Sequence, residues 1–568
     1  MNFVKRYRPL VSKHWPLGAA LVVLYTALTG CLVAALVYTG GHFAYALDDP
    51  YIHMAAAKNF VAHGVWGVTP YGFSSASSSI IWPLLIALDY AVCGVGAWAP
   101  LLLNVVVSSV LLAAVYFLLA RHGISPAINC ACLLAVALCA PLPAVVFTGL
   151  EHPLQILVAL LLVYFSGRIL AEPAADEKKV STRLQVACLA LAPLVTMTRF
   201  EGAFMVAVVC LIAVVRRRFR YAVALALLGA APVIIYGLIS VFHGSQFLPN
   251  SVLLKGNAPD AFEQPFASIA ADSRLIVYYR QAVDSLGFKA VKGLVYTPHL
   301  FALMIIAATA WGFATRRGRR PWTPCKIMLM IFAGTMLLHL QLAATGYFYR
   351  YEAYLVVLGL VASVLAAGNE PPEFLRSSKP LARCAIGVAA CLLALPFVHR
   401  AAVSLVQTPR ASTNVYQQQC QMGAFLGRYY AGQAVAAGDI GAINFYADID
   451  LLDLLGLGSV EVAKARKKGC FNTEMIRAMA AQRGVQIAVV FDHVYDSIGG
   501  LPAEWQKVGQ WEISKNVACQ ESTVAFYAVD PRQKDRLAQH LREFSRQLPA
   551  SVIQRGPYLD RQSPLAAR

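Results

Sequence analysis

Long apolar stretches dominate the first 400 residues of the chain and indicate its fold class. Runs of about 17–24 mostly apolar residues recur between Leu17 and Arg400, and a helix of about 20 apolar residues is long enough to span a bilayer. The pattern predicts a polytopic α-helical membrane protein with about eleven transmembrane helices. The expected spans are 17–40, 98–120, 124–147, 153–170, 184–199, 202–215, 221–242, 294–314, 327–346, 352–368 and 383–400.

Composition and the distribution of charge agree with this pattern. The chain is 58% hydrophobic and 14% charged, which excludes ordinary soluble and disordered proteins. Its net charge of +18 is concentrated in short basic patches at the N-terminus, 216–220, 316–320 and 376–383. Cytoplasmic loops of membrane proteins carry such patches, so we interpret the charge as topological and expect no nucleic-acid partner.

The basic loops also fix the sidedness of the expected spans. The segment 41–79 has a single Lys and no Arg, so we place it outside. Only one crossing then fits between Ser79 and Arg121, although two apolar stretches lie there. The first, 80–93, is short and contains Pro83 and Asp89, which favours a juxtamembrane helix on the outer face. Two large outer loops follow from this count, 41–97 and 243–293, and the C-terminus lies outside.

The pattern changes after Arg400, where we expect a second domain. Helices are predicted at 416–430 and 473–483, and strands at 434–439 and 485–491, which is typical of a small α/β domain. We therefore divide the chain into a transmembrane domain, 1–400, and a periplasmic soluble α/β domain, 401–568. The turn 438–441 is either a plain tight turn or a substrate contact. An oxidising compartment would permit one disulfide here, for which Cys470–Cys519 is the candidate pair.

Ionisable residues from distant parts of the sequence are expected at one depth, the outer membrane boundary. Charges at such positions are costly and are candidates for function. The set comprises Asp48, Asp49, Glu151, His152, Arg199, Glu201, Lys255, Arg350 and Glu352. Sugar transfer from a polyprenyl phosphate needs a base, which the Asp pair can supply. It also needs cations or a metal for the departing phosphate, and Lys255, Arg199 and Arg350 can supply the cations.

Structural alternatives remain open for these residues. Arg199 and Glu201 can simply pair with each other, Arg350 can extend to the interface, and Glu151 can be an anion at a helix N-terminus. One of the two Asp residues can cap the helix expected at Pro50. A tyrosine cluster at 347, 349, 351 and 354 has the character of an interfacial aromatic belt.

An ordered set of short motifs resembles a known family. The motifs are LDDPYI at 47–52, YGFSS at 71–75, TGLEHP at 148–153, TRFEG at 198–202, LPNS at 248–251 with Lys255 downstream, and GDIGA at 438–442 followed by DLLGL at 453–457. Together they resemble the GT-C glycosyltransferases, most closely the arabinofuranosyltransferase-like branch that uses polyprenyl-phosphate sugars. Phe200 stands where that branch usually has Pro.

The resemblance implies transfer of a sugar, with arabinofuranose as one candidate, from a polyprenyl-phosphate donor to a glycan, lipid or surface-protein acceptor at the periplasmic face of a bacterial inner membrane. Asp48 and Asp49 would be catalytic, one as base and the other orienting substrate or binding a divalent metal ion, with Asp48 slightly preferred as base. The implied substrate-binding residues are Glu151, Arg199, Glu201, Asn250, Lys255 and Arg350. A lipid or polysaccharide transporter is the alternative. It predicts internal repeats and charges at the membrane midplane, which we do not find in the sequence.

Overall fold

The computed structural model describes residues 2–173, 181–255, 290, 293–317, 320, 322–369 and 380–559. Most of the outer loop predicted at 243–293 lies outside these ranges. Within them the membrane part consists of helices. They are α1 (Asn2–Tyr38), α2 (Asp49–His63), α3 (Ile81–Cys93), α4 (Ala99–Arg121), α5 (Pro126–Cys139), α6 (Leu142–Phe147), α7 (His152–Ala171), α8 (Thr182–Thr198), α9 (Gly202–Val215), α10 (Phe219–Phe242), α11 (Asn250–Lys255), α12 (Pro298–Arg317), α13 (Pro324–Leu342), α14 (Ala353–Ala367) and α15 (Pro380–Val415).

Seven helices among the described residues are long and apolar enough to cross a membrane. Five further helices are apolar but shorter, and four of these (α5, α8, α9 and α14) overlap predicted spans. The fifth, α3, coincides with the stretch that we expected to lie on the outer face. The chain is therefore a polytopic helical protein, and the total of eleven spans stays a prediction.

Local sequence explains where several of these helices begin. The side chain of Ser125 accepts a hydrogen bond from the N–H of Ile128, and Thr323 does the same for Lys326, as N-capping residues do. Pro follows each of these caps as the first helical residue, where its missing N–H costs nothing. The span expected at 124–147 is not one helix, because it breaks between α5 and α6 beside Pro141, a residue that cannot continue the helical ladder.

The helix that leaves the membrane part does not stop near Arg400. Helix α15 runs on to Val415, a π-helical turn occupies Tyr416–Cys420, and α16 (Gln421–Tyr429) follows directly. The last apolar stretch of the membrane part and the start of the C-terminal part thus belong to one helical segment, Pro380–Tyr429. Residue 400, where we divided the chain, lies inside this segment. The division itself stays a prediction.

Residues after 430 form a six-stranded mixed sheet. Its strands are β1 (Ala434–Ala437), β2 (Asp450–Asp453), β3 (Ile487–Val490), β4 (Gln506–Glu512), β5 (Thr523–Ala528) and β6 (Ile553–Arg555), in the order β2-β1-β3-β5-β4-β6. The pairs β1·β2 and β1·β3 are parallel and the other three are antiparallel. The helices between strands are α17 (Ala442–Tyr446), α18 (Val460–Lys467), α19 (Thr473–Gln482) and α20 (Lys534–Phe544).

The predicted strands and helices of this region are present, and burial explains the apolar run at 485–491. Ile487 and Val489 belong to one hydrophobic cluster, whereas Ala488 and Val490 belong to another. Since successive side chains of a strand point to opposite faces, β3 is covered on both sides. The expected Cys470–Cys519 disulfide is wrong: both cysteines are free, Cys470 being exposed and Cys519 half-buried.

The C-terminal sheet and the first outer loop pack directly against each other. Ile52 of α2 and Ala76 belong to the same hydrophobic cluster as Ile443 of α17. Lys58 donates to the carbonyl oxygens of Asn444 (3.2 Å) and Phe445 (3.1 Å) near the end of α17, where a cation is favoured by the helix dipole. The loop that carries Asp48 and Asp49 therefore lies on the same side of the helical bundle as the sheet.

Candidate active site

Asp48 connects the first outer loop to the C-terminal sheet. It occupies the position before α2 but makes no side-chain cap on that helix. Its carboxylate instead accepts hydrogen bonds from the backbone N–H groups of Gly441 (2.8 Å) and Ala442 (2.7 Å). Asp48 therefore does not cap the helix at Pro50 with its side chain, and its carboxylate contacts the turn after β1 instead.

The surroundings of Asp48 raise its affinity for a proton. Burial raises the pKa of the Asp48 carboxyl well above its ordinary value, and the nearby charge of Asp439 raises it further. The two backbone hydrogen bonds lower the pKa and offset only part of this effect. A carboxylate with a raised pKa is a better base than an ordinary aspartate.

Asp49 pairs with the buried guanidinium of Arg350. Nη2 of Arg350 donates to the Asp49 carboxylate, and Arg350 is 2% exposed. The alternative in which Arg350 extends to the interface is therefore wrong. The guanidinium lies 4.7 Å from the ring centre of Tyr347 and 4.9 Å from that of Tyr351, distances typical of cation–π contacts. These two tyrosines, expected in an aromatic belt, flank Arg350 instead.

Part of the Arg350 guanidinium has no partner in the described structure. Its Nε and Nη1 atoms are buried and make no hydrogen bond with the described residues. Buried donors are normally paired, so an unpaired donor in a native site calls for an explanation. Nε–H and the Nη1 hydrogens point from different edges of the guanidinium, so two separate ligand oxygens could satisfy them.

The turn before Arg350 has an unusual backbone. Tyr347, Phe348 and Tyr349 have φ values of 35°, 59° and 65°, and left-handed backbone is unfavourable for such bulky residues. Three successive residues of this kind persist only where their surroundings hold them. The turn is thus a strained element that presents Arg350.

Glu352 and Arg400 hold the two ends of this turn. Glu352 accepts from the N–H of Gly346 at 2.8 Å and from Nη1 of Arg400 at 2.5 Å. Nη2 of Arg400 donates to the carbonyl of Tyr349 at 2.6 Å, and His299 lies 3.4 Å from the Glu352 carboxylate. We call the turn 346–349 with Glu352, Arg400 and His299 the clamp.

Arg199 joins two glutamates into a buried chain of charges. It donates to Glu201 through Nε (3.1 Å) and Nη2 (2.7 Å) and to Glu151 through Nη1 (2.9 Å). Glu151 is fully buried, and its other oxygen lies 3.7 Å from Nε2 of His53. Arg199 and Glu201 do pair with each other, but Arg199 also binds Glu151, which is therefore more than an anion at a helix N-terminus.

Two adjoining cavities meet at Asp49. The first, of about 310 Å³, lies among the helices and contains Arg199, Arg350 and Glu201. Apolar residues such as Phe200, Phe204, Val233 and Leu342 form most of the rest of its wall. We call it the bundle cavity.

The second cavity, of about 650 Å³, lies between the helices and the C-terminal sheet. We call it the interface cavity. Polar residues in its wall are Asp48, Asp49, Thr345, Gln419, Asp439 and Gln520. Five residues line both cavities: Asp49, Ile52, Ala344, Tyr351 and Leu457. Asp49 is therefore accessible from either side.

Asn250 and Lys255, the two residues predicted from the second outer loop, are the first and last residues of α11. Asn250 is fully buried, and its Nδ2 atom donates to the carbonyl of Leu457 at 3.2 Å. It therefore links α11 to a loop that lines both cavities. Lys255 ends α11, and its side chain lies outside the described structure.

No cluster of three or more His, Cys, Asp or Glu side chains that could hold a metal occurs among the described residues. The divalent metal ion considered for the Asp pair remains a hypothesis. The site residues themselves, Asp48, Asp49, Glu151, Arg199, Glu201 and Arg350, do lie around the two cavities. Their roles in a reaction remain predictions.

Sequence reasoning missed several residues of this region. His53 lies four residues after Asp49, a spacing that places both on one side of α2, so this signal was available. Asp439 gives a signal only as part of the turn 438–441. Arg400 and His299 gave no signal, because nothing in their local sequence links them to Glu352.

One family model matches part of the chain. Residues 412–527 match a family model described as a domain of unknown function, DUF8728. The match runs from the end of α15 into β5, covers less than half of the chain, and does not assign the whole protein to a family. No curated protein matches the sequence.

Among solved structures, two of ArnT from Cupriavidus metallidurans are similar to this chain. The structure bound to undecaprenyl phosphate gives a TM-score of 0.49 at 13% identity, covering 89% of this chain and 97% of that one. The structure in the apo state gives a TM-score of 0.48 at 14% identity, covering 90% and 98%.

Proposed function

We propose that this protein is a membrane glycosyltransferase that transfers a sugar from a polyprenyl-phosphate donor to an acceptor at the outer face of a bacterial inner membrane. The observation that carries the proposal is the position of Asp49. It lies on the wall shared by an apolar cavity and a polar cavity, beside Asp48 and paired with the buried Arg350. The ordered motifs that resemble GT-C glycosyltransferases pass through the same residues.

The bundle cavity suits the phosphate end of a lipid-linked donor. Its wall is mainly apolar and includes residues of α9, α10 and α13, which can hold the first part of a prenyl chain. Nε and Nη1 of Arg350 have no partner among the described residues, and charge-assisted hydrogen bonds from a guanidinium to phosphate oxygens are strong. Lys255, at the end of α11, is the proposed second cation.

The two carboxylates and Arg350 supply the groups that the proposed reaction uses. A carboxylate takes the proton of the acceptor hydroxyl, the hydroxyl oxygen bonds to C1 of the sugar, and the bond from C1 to the phosphate oxygen breaks. The electron pair of that bond leaves on the polyprenyl phosphate, whose negative charge Arg350 stabilises. We propose Asp48 as the base because it lies in the wall of the interface cavity beside Asp49 and its pKa is raised. Asp49 is proposed to orient Arg350, to which it is bound, and the sugar.

Arg199, Glu151 and Glu201 are proposed to bind the donor less directly. Arg199 is engaged by two carboxylates, so little of its charge is available for a phosphate. We assign this chain of charges to shaping the bundle cavity and to contacting sugar hydroxyls. Asn250 is assigned to holding the loop at Leu457.

A donor screen tests the proposal. Purified protein in detergent is incubated with a panel of synthetic polyprenyl-phosphate sugars, arabinofuranose included, together with membranes of a deletion strain as the acceptor pool. The expected result is release of polyprenyl phosphate and a sugar-sized mass increase in one acceptor, both read by mass spectrometry. Movement of intact donor across a vesicle membrane without release of polyprenyl phosphate would favour a transporter and overturn the proposal.

A further inference from the structure

The two cavities differ in the charge of their walls. The bundle cavity contains two guanidinium groups, Arg199 and Arg350, and two carboxylates, Asp49 and Glu201. The interface cavity contains three carboxylates, Asp48, Asp49 and Asp439. No Lys, Arg or His belongs to its wall as far as the chain is described there. Cationic groups thus balance the carboxylates of the bundle cavity, whereas the charged groups in the described wall of the interface cavity are all carboxylates.

The interface cavity also has neutral polar groups set beside its carboxylates. Nε2 of Gln419 donates to Asp439 at 2.9 Å, and Oε1 of Gln419 accepts from the thiol of Cys519 at 3.2 Å. Gln419 is 2% exposed, so this arrangement is held in place. Amides and carboxylates together bind hydroxyl or amino groups well, since both accept hydrogen bonds from such donors.

A phosphate would meet opposite conditions in the two cavities. In the bundle cavity it would find the unpartnered donors of Arg350. In the interface cavity it would face carboxylates alone among the charged groups of the described wall, and like charges at short range in a partly buried site repel strongly. A chamber with this wall admits neutral or cationic molecules and disfavours anions.

We infer that the interface cavity takes the acceptor, and that the reacting end of the acceptor is a hydroxyl or amino group of a neutral or cationic glycan, not a phosphate. This inference rests on the proposed function and adds the chemical class of the acceptor. The acceptor O–H or N–H gives its proton to the carboxylate and bonds to C1 of the sugar, while polyprenyl phosphate leaves with the electron pair of the broken bond. Donor phosphate and acceptor thus meet at Asp49 from opposite sides.

Cys519 makes the charge of this cavity measurable without any substrate. Its thiol lies in the wall of the interface cavity, whereas Cys470, in the same C-terminal part, is exposed. Two methanethiosulfonate reagents of similar size, one with a trimethylammonium group and one with a sulfonate, are reacted with the full-length protein in nanodiscs. The extent of labelling at each cysteine is followed by peptide mass spectrometry.

The ratio of cationic to anionic labelling rate is the readout, with Cys470 as the internal control. Burial raises the pKa of the Cys519 thiol, which slows both reagents alike and leaves the ratio unaffected. We expect the ratio at Cys519 to exceed that at Cys470 by roughly tenfold. Asp439→Asn should lower the ratio at Cys519 and leave that at Cys470 unchanged.

Equal ratios at the two cysteines, or a preference of Cys519 for the sulfonate reagent, would overturn the inference. Labelling of Cys519 by the neutral methyl methanethiosulfonate but by neither charged reagent would also overturn it, because the cavity would then not admit a cation. A second arm supplies acceptors that carry either a free hydroxyl or a phosphate monoester. Transfer to the phosphate would refute the inference and leave the proposed function intact, whereas no transfer to any acceptor, with the charge selectivity present, would refute the proposed function alone.

Discussion

Removing the charge of Glu352 should displace Arg350 although Glu352 itself does not line either cavity. In the clamp, Glu352 binds Gly346 at the start of the strained turn, and through Arg400 it is connected to Tyr349 at the end. Glu352→Gln keeps the shape of the side chain and an acceptor for Gly346. It leaves Arg400, which is 7% exposed, without its counter-ion.

The size of the effect on Arg350 follows from two free energies of similar size, the cost of breaking the ion pair and the strain of the turn. Breaking one side of a buried ion pair costs about 3–5 kcal/mol. Each residue in left-handed backbone costs about 1–2 kcal/mol, and the turn contains three. Because the strain is as large as the interaction that opposes it, we expect the turn to relax when the pair is broken. A shift of about 1 Å in the guanidinium would lower turnover on the order of 100-fold.

Binding of undecaprenyl phosphate to purified protein, followed by native mass spectrometry, measures this effect without knowledge of the sugar. We expect Glu352→Gln to weaken binding about tenfold or more, since Arg350 provides the proposed phosphate contact. The matched control is Glu504→Gln, which breaks an exposed pair with Arg477 and should leave binding unchanged. Arg350→Gln should weaken binding as Glu352→Gln does, and combining the two should add little.

Wild-type affinity in Glu352→Gln, at an unchanged thermal unfolding midpoint, would refute the assigned role of the clamp. A lower midpoint with wild-type affinity would also refute it, because Glu352 would then stabilise the fold without positioning Arg350.

Three further predictions concern the Asp pair and its neighbours. Burial and the charge of Asp439 raise the pKa of Asp48, so activity should rise as pH increases through that raised value, and Asp439→Asn should move this acidic limb of the kcat profile to lower pH. Gly441→Ala should reduce activity and destabilise the protein by about 1–3 kcal/mol, because the added Cβ would overlap the backbone oxygen and carboxylate of Asp48. The control for thermal unfolding is Gly312→Ala, where the added Cβ meets nothing within 4 Å. Arg350→Lys should recover only part of the phosphate affinity lost in Arg350→Gln, as measured by the same mass spectrometry, since an ammonium cannot reproduce the paired donors of a guanidinium.

The helices and the position of the Asp pair could be predicted because both depend on local sequence. Apolar length and the distribution of Arg and Lys are readable without tertiary contacts. The strands at 434–439 and 485–491 were predictable for the same reason. The predicted span ends too early for helix α15. The apolar run stops near Arg400, whereas the helical backbone continues to Val415.

The partners of the Asp residues could not be predicted from local sequence. Asp48 binds Gly441, 393 positions away, and Asp49 binds Arg350, 301 positions away. The turn 346–349 is harder still, since two Tyr residues and a Phe give no indication of left-handed backbone. Such positions are where local rules are expected to fail, because surrounding contacts and not intrinsic preference determine the conformation.

Sugar transfer by purified Asp48→Asn and Asp49→Asn variants tests the central claim most directly. The donor identified in the screen is supplied at saturation, and release of polyprenyl phosphate is counted over time, with the exposed Asp496→Asn as the matched control. We expect at least one of the two variants to lose 100-fold or more in kcat, within the range that general base catalysis contributes, while undecaprenyl phosphate still binds and Asp496→Asn turns over normally. Full turnover by both Asp48→Asn and Asp49→Asn would contradict the account.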